Sequence, residues 1–385
     1  MKASPMPGSK SYDTETLIVH ALNSVDPATR SVVPAWQPST TFARDEAYEP
    51  LNNRVYGRDQ GVTLQQAEAV LARLEEGADA MLFASGMGAA TAVLQTLQRG
   101  DRLLVQRVMY WTLRDWLLDL GEQWGFEVDF FDAAGGLNAL EAALRPGETK
   151  LVWLEVPANP TWDIVDIAGA ARLAHEAGAR LAVDSTIATP VLTRPLGLGA
   201  DIVMHSATKY LGGHSDILAG LLVTAKKDDQ WSRMCRLRLL GGSQLGSFDS
   251  WLLIRSLRTL FVRVRQSSAN ALAVARHFDG DPRLEDVLYP GLQRHPQHEI
   301  AKRQMDGGFG GMLSLRVRGG FEGAQRVAAN CKLILRATSL GGVESLIEHR
   351  AAVEGPDSPI PQDLLRISIG IERVEDLISD LDQAL

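Results

Sequence analysis

The sequence predicts an α/β protein with a mostly parallel sheet, preceded by an extended arm and followed by a smaller α+β domain. Three observations carry this. From about Gly61 onward, short apolar runs alternate with amphipathic stretches, the pattern of βαβ units. Beyond residue 255 the apolar runs become sparser and are separated by Gly- and Pro-rich turns. Before residue 60 the chain has little periodicity and is dense in Pro, Ser and Thr, as in Val33-Pro34-Ala35-Trp36-Gln37-Pro38-Ser39-Thr40-Thr41. The expected division is an arm over 1–60, a large domain over 61–255 and a small domain over 256–385.

The expected strands of the large domain are Met81–Ala84, Arg102–Val105, Val128–Phe131, Leu151–Leu154, Leu181–Val183, Asp201–Met204 and Leu218–Val223. Between them, Ala90, Val93, Leu94 and Leu97 recur at i, i+3, i+4, i+7, and Leu113, Trp116, Leu117 and Leu120 repeat that spacing, so each set lines one face of a helix. A long helix is expected around Leu257, Leu260, Phe261 and Val264. In the small domain, Met312–Val317 and Leu365–Ile369 read as strands, closed by a helix that turns Val374, Leu377, Ile378 and Leu381 inward.

Composition narrows the function. The chain has 385 residues, 45% hydrophobic and 22% charged, with a net charge of −8. Its mean hydropathy is −0.06. This is globular and soluble, and no window approaches the roughly 20 apolar residues of a membrane span. The acidic balance argues against nucleic acid as a partner, and Arg233, Arg236 and Arg238 read as a salt-bridged face. Cys235 and Cys331 are too few for a disulfide framework, and no His pair accompanies them to make a zinc site. Met1–Lys10 lacks the apolar core of a secretion signal, so a cytoplasmic location is expected.

In open α/β sheets, ligands gather beyond the carboxyl ends of the strands, so polar residues directly after each apolar run are the first candidates. Ser85-Gly86-Met87-Gly88 places two glycines at a strand-to-helix turn, where backbone N–H groups can approach an anion; a plain tight turn would look the same. Asp184 follows Leu181-Ala182-Val183. Such a carboxylate either caps the next helix or holds a proton on a heterocyclic nitrogen. In His205-Ser206-Ala207-Thr208-Lys209-Tyr210, hydroxyls at Ser206 and Thr208 give the ammonium an anion-binding neighbourhood; otherwise Lys209 is a solvated charge. Glu155-Val156-Pro157-Ala158-Asn159-Pro160 holds an amide between prolines in a rigid turn. His205 and His214 read as structural or solvated, since no third ligand lies at useful spacing. Together these supply a lysine for a Schiff base, an acid for a pyridinium nitrogen, and hydroxyls with a Gly turn for a phosphate, the needs of pyridoxal phosphate. A Rossmann-type dehydrogenase would require a glycine fingerprint that is not correctly placed here, and a non-catalytic relative should have lost Lys209 or Asp184.

Three separated segments make the resemblance specific: Ser206-Ala207-Thr208-Lys209-Tyr210-Leu211-Gly212-Gly213-His214, Ser339-Leu340-Gly341-Gly342-Val343-Glu344-Ser345-Leu346 and Leu365-Arg366-Ile367-Ser368-Ile369-Gly370. With them the chain resembles the Cys/Met-metabolism pyridoxal-phosphate enzymes: cystathionine β- and γ-lyases, cystathionine γ-synthase and methionine γ-lyase. That resemblance implies a fold type I enzyme. Lys209 would be the Schiff-base lysine and proton shuttle, and Asp184 the partner of the ring nitrogen. Gly86, Met87, Ser206 and Thr208 would hold the phosphate. Tyr56 and Arg58 would reach the phosphate of a neighbouring subunit, in a tetramer built from dimers with shared sites. Tyr110 would stack on the ring and act near the leaving group, Asn159 would touch the cofactor's phenolic oxygen, Arg366 would clamp the substrate carboxylate, and Ser339 would orient Lys209.

Against the family pattern, Trp111-Thr112 follow Tyr110 where small residues are usual, which should narrow the pocket. Asp115 stands where the cystathionine γ-enzymes carry an arginine, although the bacterial β-lyase also has Asp there, and Asp59 stands where that β-lyase has a second arginine; Thr338 precedes Ser339 where glutamate or tyrosine is usual, and Arg350 replaces a proline. Two acidic positions near the far end of the substrate favour a cationic or neutral tail, such as that of canavanine. Alternatively, both aspartates pair with Arg114 or Arg350. The expected activity is cleavage of a Cγ or Cβ carbon–heteroatom bond in a cystathionine- or homoserine-type amino acid, with cystathionine β-lyase or a γ-synthase-type replacement as the alternative.

Overall fold

The computed structural model describes residues 12–23, 25–26, 29–355 and 358–385. Met1–Lys10, on which the expectation about secretion rested, lies outside the described residues. Seven strands form the larger sheet: β1 (Asp79–Phe83), β2 (Arg102–Gln106), β3 (Glu127–Phe131), β4 (Thr149–Glu155), β5 (Arg180–Asp184), β6 (Ile202–Ser206) and β7 (Gly220–Thr224). Their order is β1-β7-β6-β5-β4-β2-β3. All pairings from β6 through β5, β4 and β2 to β3 are parallel. Only β7 runs against its neighbours β1 and β6. Strands β2, β4, β5, β6 and β7 are buried almost throughout, as a sheet covered by helices on both faces requires.

The smaller sheet contains β8 (Leu284–Leu288), β9 (Met312–Val317), β10 (Leu335–Arg336), β11 (Leu346–His349) and β12 (Leu364–Ser368), in the order β10-β11-β12-β9-β8. The closing helix Val374–Ala384 buries Leu377 and Leu381 against it. No helix among the described residues is long and apolar enough to cross a membrane.

One expected element is divided. The helix anticipated around Leu257–Val264 is two, Ser247–Leu257 and Leu260–Phe278. Thr259 breaks it: its hydroxyl donates to the Ser256 carbonyl at 3.2 Å and its φ/ψ of −116°/11° leaves the helical region. The first segment of the chain is also not wholly extended, since Thr14–Val19 is helical, capped by the Asp13 carboxylate on Glu15 N–H at 2.9 Å. Of the arginine cluster, Arg238 pairs with Glu68, and Arg233 donates to the Gln95 and Thr96 carbonyls at the end of the helix Gly86–Leu94.

Candidate active site

The carboxyl ends of β1, β4, β5 and β6 open on one side of the large sheet, and the polar residues that follow them are joined by two chains of hydrogen bonds. The first chain starts at Tyr110, which precedes the helix Trp111–Trp124 and is 41% exposed. Its N–H donates to Glu155 at 2.7 Å, and the other Glu155 oxygen accepts from Asn159 N–H at 2.9 Å. The Asn159 side-chain oxygen accepts from Arg366 at 3.2 Å, and Arg366 also donates to the Ser339 carbonyl at 3.1 Å. Lys209 Nζ then donates to Ser339 Oγ at 3.0 Å. Residues from both sheets thus meet at one amine.

The second chain runs along the strand ends of the large sheet. Asp184 accepts from the Thr186 N–H at 3.0 Å and from its hydroxyl at 2.5 Å. That hydroxyl in turn accepts from Ser206 N–H at 2.8 Å. Gly86 sits against Ser206 so closely that a Cβ on it would come within 3.0 Å of Ser206 Oγ. The nine-residue helix Gly86–Leu94 begins there, capped by Ser85, whose Oγ accepts from Gly88 N–H at 3.0 Å. Among the described residues the N–H groups of Gly86 and Met87 have no protein acceptor, so they face the cradle as free donors at a helix N-terminus. The Thr208 hydroxyl is held by Ala219, accepting from its N–H at 3.0 Å and donating to its carbonyl at 3.2 Å.

The electrostatics follow from burial. Desolvation and the Arg366 charge press Lys209 down from 10.5 to about 8, against the pull of Glu348. Asp184 and Glu155 are register partners on β5 and β4. Burial, and then the Asp184 charge, push Glu155 up to about 8, and burial also raises Asp184 against its two bonds from Thr186. His205 is fully buried and its Nε2 bonds Glu75 at 2.5 Å.

Not every predicted residue joins this cluster. Tyr56, Arg58 and Asp59 lie exposed on or beside the short helix Gly57–Gln60, with the Arg58 guanidinium 5.3 Å from the Tyr56 ring. Asp115 is exposed on the helix Trp111–Trp124. Neither Asp59 nor Asp115 makes an ion pair among the described residues, so the alternative pairing with Arg114 or Arg350 is not what the fold contains. Arg114 instead lies between the rings of Trp111 and Phe130, at 5.1 and 5.0 Å, and Arg350 pairs with Glu348 and Glu354. Thr338 and Ser339 line a cleft of about 550 Å³ with Thr208, Ser215, Asp216 and Leu218.

Sequence reasoning missed three members. Glu155 opens the proline turn, where nothing in the sequence marks it as the residue that organises the backbone at Tyr110 and Asn159. Thr186 lies two residues after Asp184 and carries no sequence signal of its own. Glu348 bonds Arg366, and its place directly after the apolar pair Leu346-Ile347 was the available signal.

A half-buried, weakly basic lysine, a carboxylate at a strand end and a hydroxyl-lined helix N-terminus define an enzyme that holds a phosphorylated aldehyde cofactor on lysine. The chain belongs to the Cys/Met-metabolism PLP-dependent enzymes, whose family model matches residues 15–385. It is 42% identical over 376 residues to the cystathionine gamma-synthase of Mycobacterium tuberculosis, covering 96% of each chain. It is 37% identical over 391 residues to the cystathionine beta-lyase of Coxiella burnetii, covering 98% of this chain and 99% of that protein. The solved structure of CalE6, a methionine gamma lyase from Micromonospora echinospora, superposes with a TM-score of 0.91 at 36% identity, covering 98% of this chain and all of that one. The cofactor is therefore pyridoxal 5′-phosphate, and the donor set fits it: two free N–H groups and the Ser206 hydroxyl for the phosphate, Asp184 for a ring nitrogen, Lys209 for the aldehyde.

Proposed function

We propose that this member of the transsulfuration-type lyases and synthases cleaves the Cγ–heteroatom bond of a cystathionine- or homoserine-type amino acid. The observation that carries this reading is the chain of contacts from Arg366 through Ser339 to Lys209, which sets a carboxylate-binding guanidinium beside a proton-transferring amine. When bound, pyridoxal phosphate supplies an electron sink for the charge that develops at the substrate Cα.

The protein's own residues do the rest. Gly86, Met87, Ser206 and Thr208 would bind the phosphate, and Asp184, buried and oriented by Thr186, would hold a proton on the ring nitrogen. Arg366 gives one Nη1–H to Asn159 and both Nη2–H groups to Ser339 and Glu348, so a substrate carboxylate held in a fork would take the place of one of these acceptors. Lys209, pressed to about 8, has free base available near neutral pH to take the Cα proton and, for a γ-leaving group, to serve Cβ. Tyr110, exposed toward solvent, gives a proton to the leaving heteroatom.

For the substrate tail, the reading is a cationic or neutral group, with canavanine as the test case. It is supported by Asp59 and Asp115 being exposed and free of ion pairs among the described residues. Tyr56, Arg58 and Asp59 act on the neighbouring subunit's site in a homotetramer built from dimers. The two free thiols, Cys235 and Cys331, agree with a reducing, cytoplasmic setting. Replacement of the cystathionine γ-synthase kind is the second reading, favoured by the 42% identity to a protein of that name.

The test is a panel of canavanine, cystathionine, methionine and O-acylated homoserines, scored for keto-acid release and product identity. Canavanine preference that falls in Asp59→Asn and Asp115→Asn supports the charge reading, and unchanged preference in both contradicts it.

A further inference from the structure

A chain of buried charges runs up to Arg366. Glu348 on β11 and Arg366 on β12 are directly opposite in an antiparallel pair, so their side chains share a face. Glu348 Oε2 accepts from Arg366 at 2.5 Å and from Arg350 at 2.5 Å. Arg350 reaches on to Glu354, which also accepts from the Ser358 hydroxyl. Glu348, Arg350 and Arg366 are 7%, 4% and 4% exposed, so none of these charges is screened by water.

The charges alternate: Glu354, Arg350, Glu348, Arg366. A lone Arg366–Glu348 pair would present a nearly neutralised guanidinium to an incoming carboxylate, with the Glu348 anion immediately behind it. A second guanidinium on the same Glu348 oxygen divides that anion between two cations. The effect extends to the amine, since Arg366 and Arg350 both push Lys209 down while Glu348 pulls it up.

We propose that Arg350 is a positioning residue for substrate binding: it holds Glu348 from behind, so that Arg366 meets the substrate α-carboxylate as a cation. This rests on the reading of Arg366 as the carboxylate clamp. It predicts a loss of affinity specific to carboxylates, which a merely structural arginine would not produce.

The experiment titrates the holoenzyme with L-alanine and with L-alaninamide, following the change in cofactor absorption, in wild type, Arg350→Met, Arg350→Lys, Glu348→Gln and the Glu348→Gln/Arg350→Met double variant. Arg350→Met is expected to weaken alanine binding by about 10- to 100-fold, the upper part of the range of couplings within one ion-pair network, and alaninamide by less than about twofold. Arg350→Lys recovers part of the loss, and the double variant recovers more because the compensated anion is gone. Should Arg350→Met not fold, Glu348→Gln carries the test, with alanine affinity kept or raised. Equal weakening of both ligands, no weakening of either, or a loss of alanine affinity in Glu348→Gln overturns the proposal. A wild-type enzyme that binds cofactor but does not prefer alanine to alaninamide overturns the Arg366 reading itself, and the proposal with it.

Discussion

Lys209 Nζ and Ser339 Oγ lie 3.0 Å apart across 130 residues of sequence, and this bond ties the loop after β6 to the loop between β10 and β11 of the smaller sheet. Ser339 holds a φ of +130°, a region that side chains rarely adopt, so the loop keeps strain at the point where it meets the amine. Removing the hydroxyl should leave the cofactor bound and slow the proton transfers. Ser339→Ala is expected to lower kcat by about tenfold with the protein still coloured, the effect of one lost orienting hydrogen bond to a charged group. Steady-state kinetics beside an absorption spectrum check it.

The depressed basicity of Lys209 has a consequence for stability in cofactor-stripped protein. Its amine sits at about 8 in the fold and 10.5 in the free state. Between those values the unfolded chain binds more protons, so this residue makes stability rise with pH across that window. Below it both states carry the charge, and the fold bears the full cost of burying it. Denaturant curves of wild type and Lys209→Met should therefore diverge in favour of wild type from about pH 8 upward, by an amount on the order of 3 kcal/mol. A difference that stays flat with pH contradicts the assignment.

Glu155 ties the backbone of Tyr110 to that of Asn159. Glu155→Ala leaves the buried Asn159 N–H and the part-buried Tyr110 N–H without an acceptor and should destabilise the protein by about 2–3 kcal/mol, with Glu155→Gln costing about half as much because its carbonyl still serves one of them. Urea unfolding of the two variants measures this.

Tyr56 and Arg58 are exposed in the single chain and make no contact with the Lys209 cluster among the described residues. If they complete a neighbour's site, co-expressing a Tyr56→Ala/Arg58→Ala chain with a Lys209→Ala chain should rescue activity. Each hybrid dimer has one intact site, so random pairing restores about a quarter of wild-type turnover. No activity above that of the separate variants would show that these residues do not complete a neighbour's site.

Much of this architecture is legible in the sequence because it is local. Apolar runs in the large domain read as strands, since a covered parallel sheet leaves no polar alternation to blur them, and the segments around Asp184, Lys209 and Arg366 carry their chemistry in order. What the sequence hides is what distant segments do to one another. Thr259 divides a periodic helix through a hydroxyl bond to a carbonyl three residues back, which periodicity does not register. The ion-pair chain through Glu348 exists only because β11 and β12 place residues 348 and 366 opposite each other. Asp59 and Asp115, prominent against the family pattern, are surface groups of the single chain.

The most direct measurement of the central claim is the keto acid released from a γ-substituted amino acid by wild type and Lys209→Ala. The account predicts 2-oxobutanoate and ammonia from at least one cystathionine- or homoserine-type substrate in elimination, with all turnover lost in the lysine variant. Coloured wild-type protein that yields only pyruvate across the panel, or turnover that survives in Lys209→Ala, would contradict it.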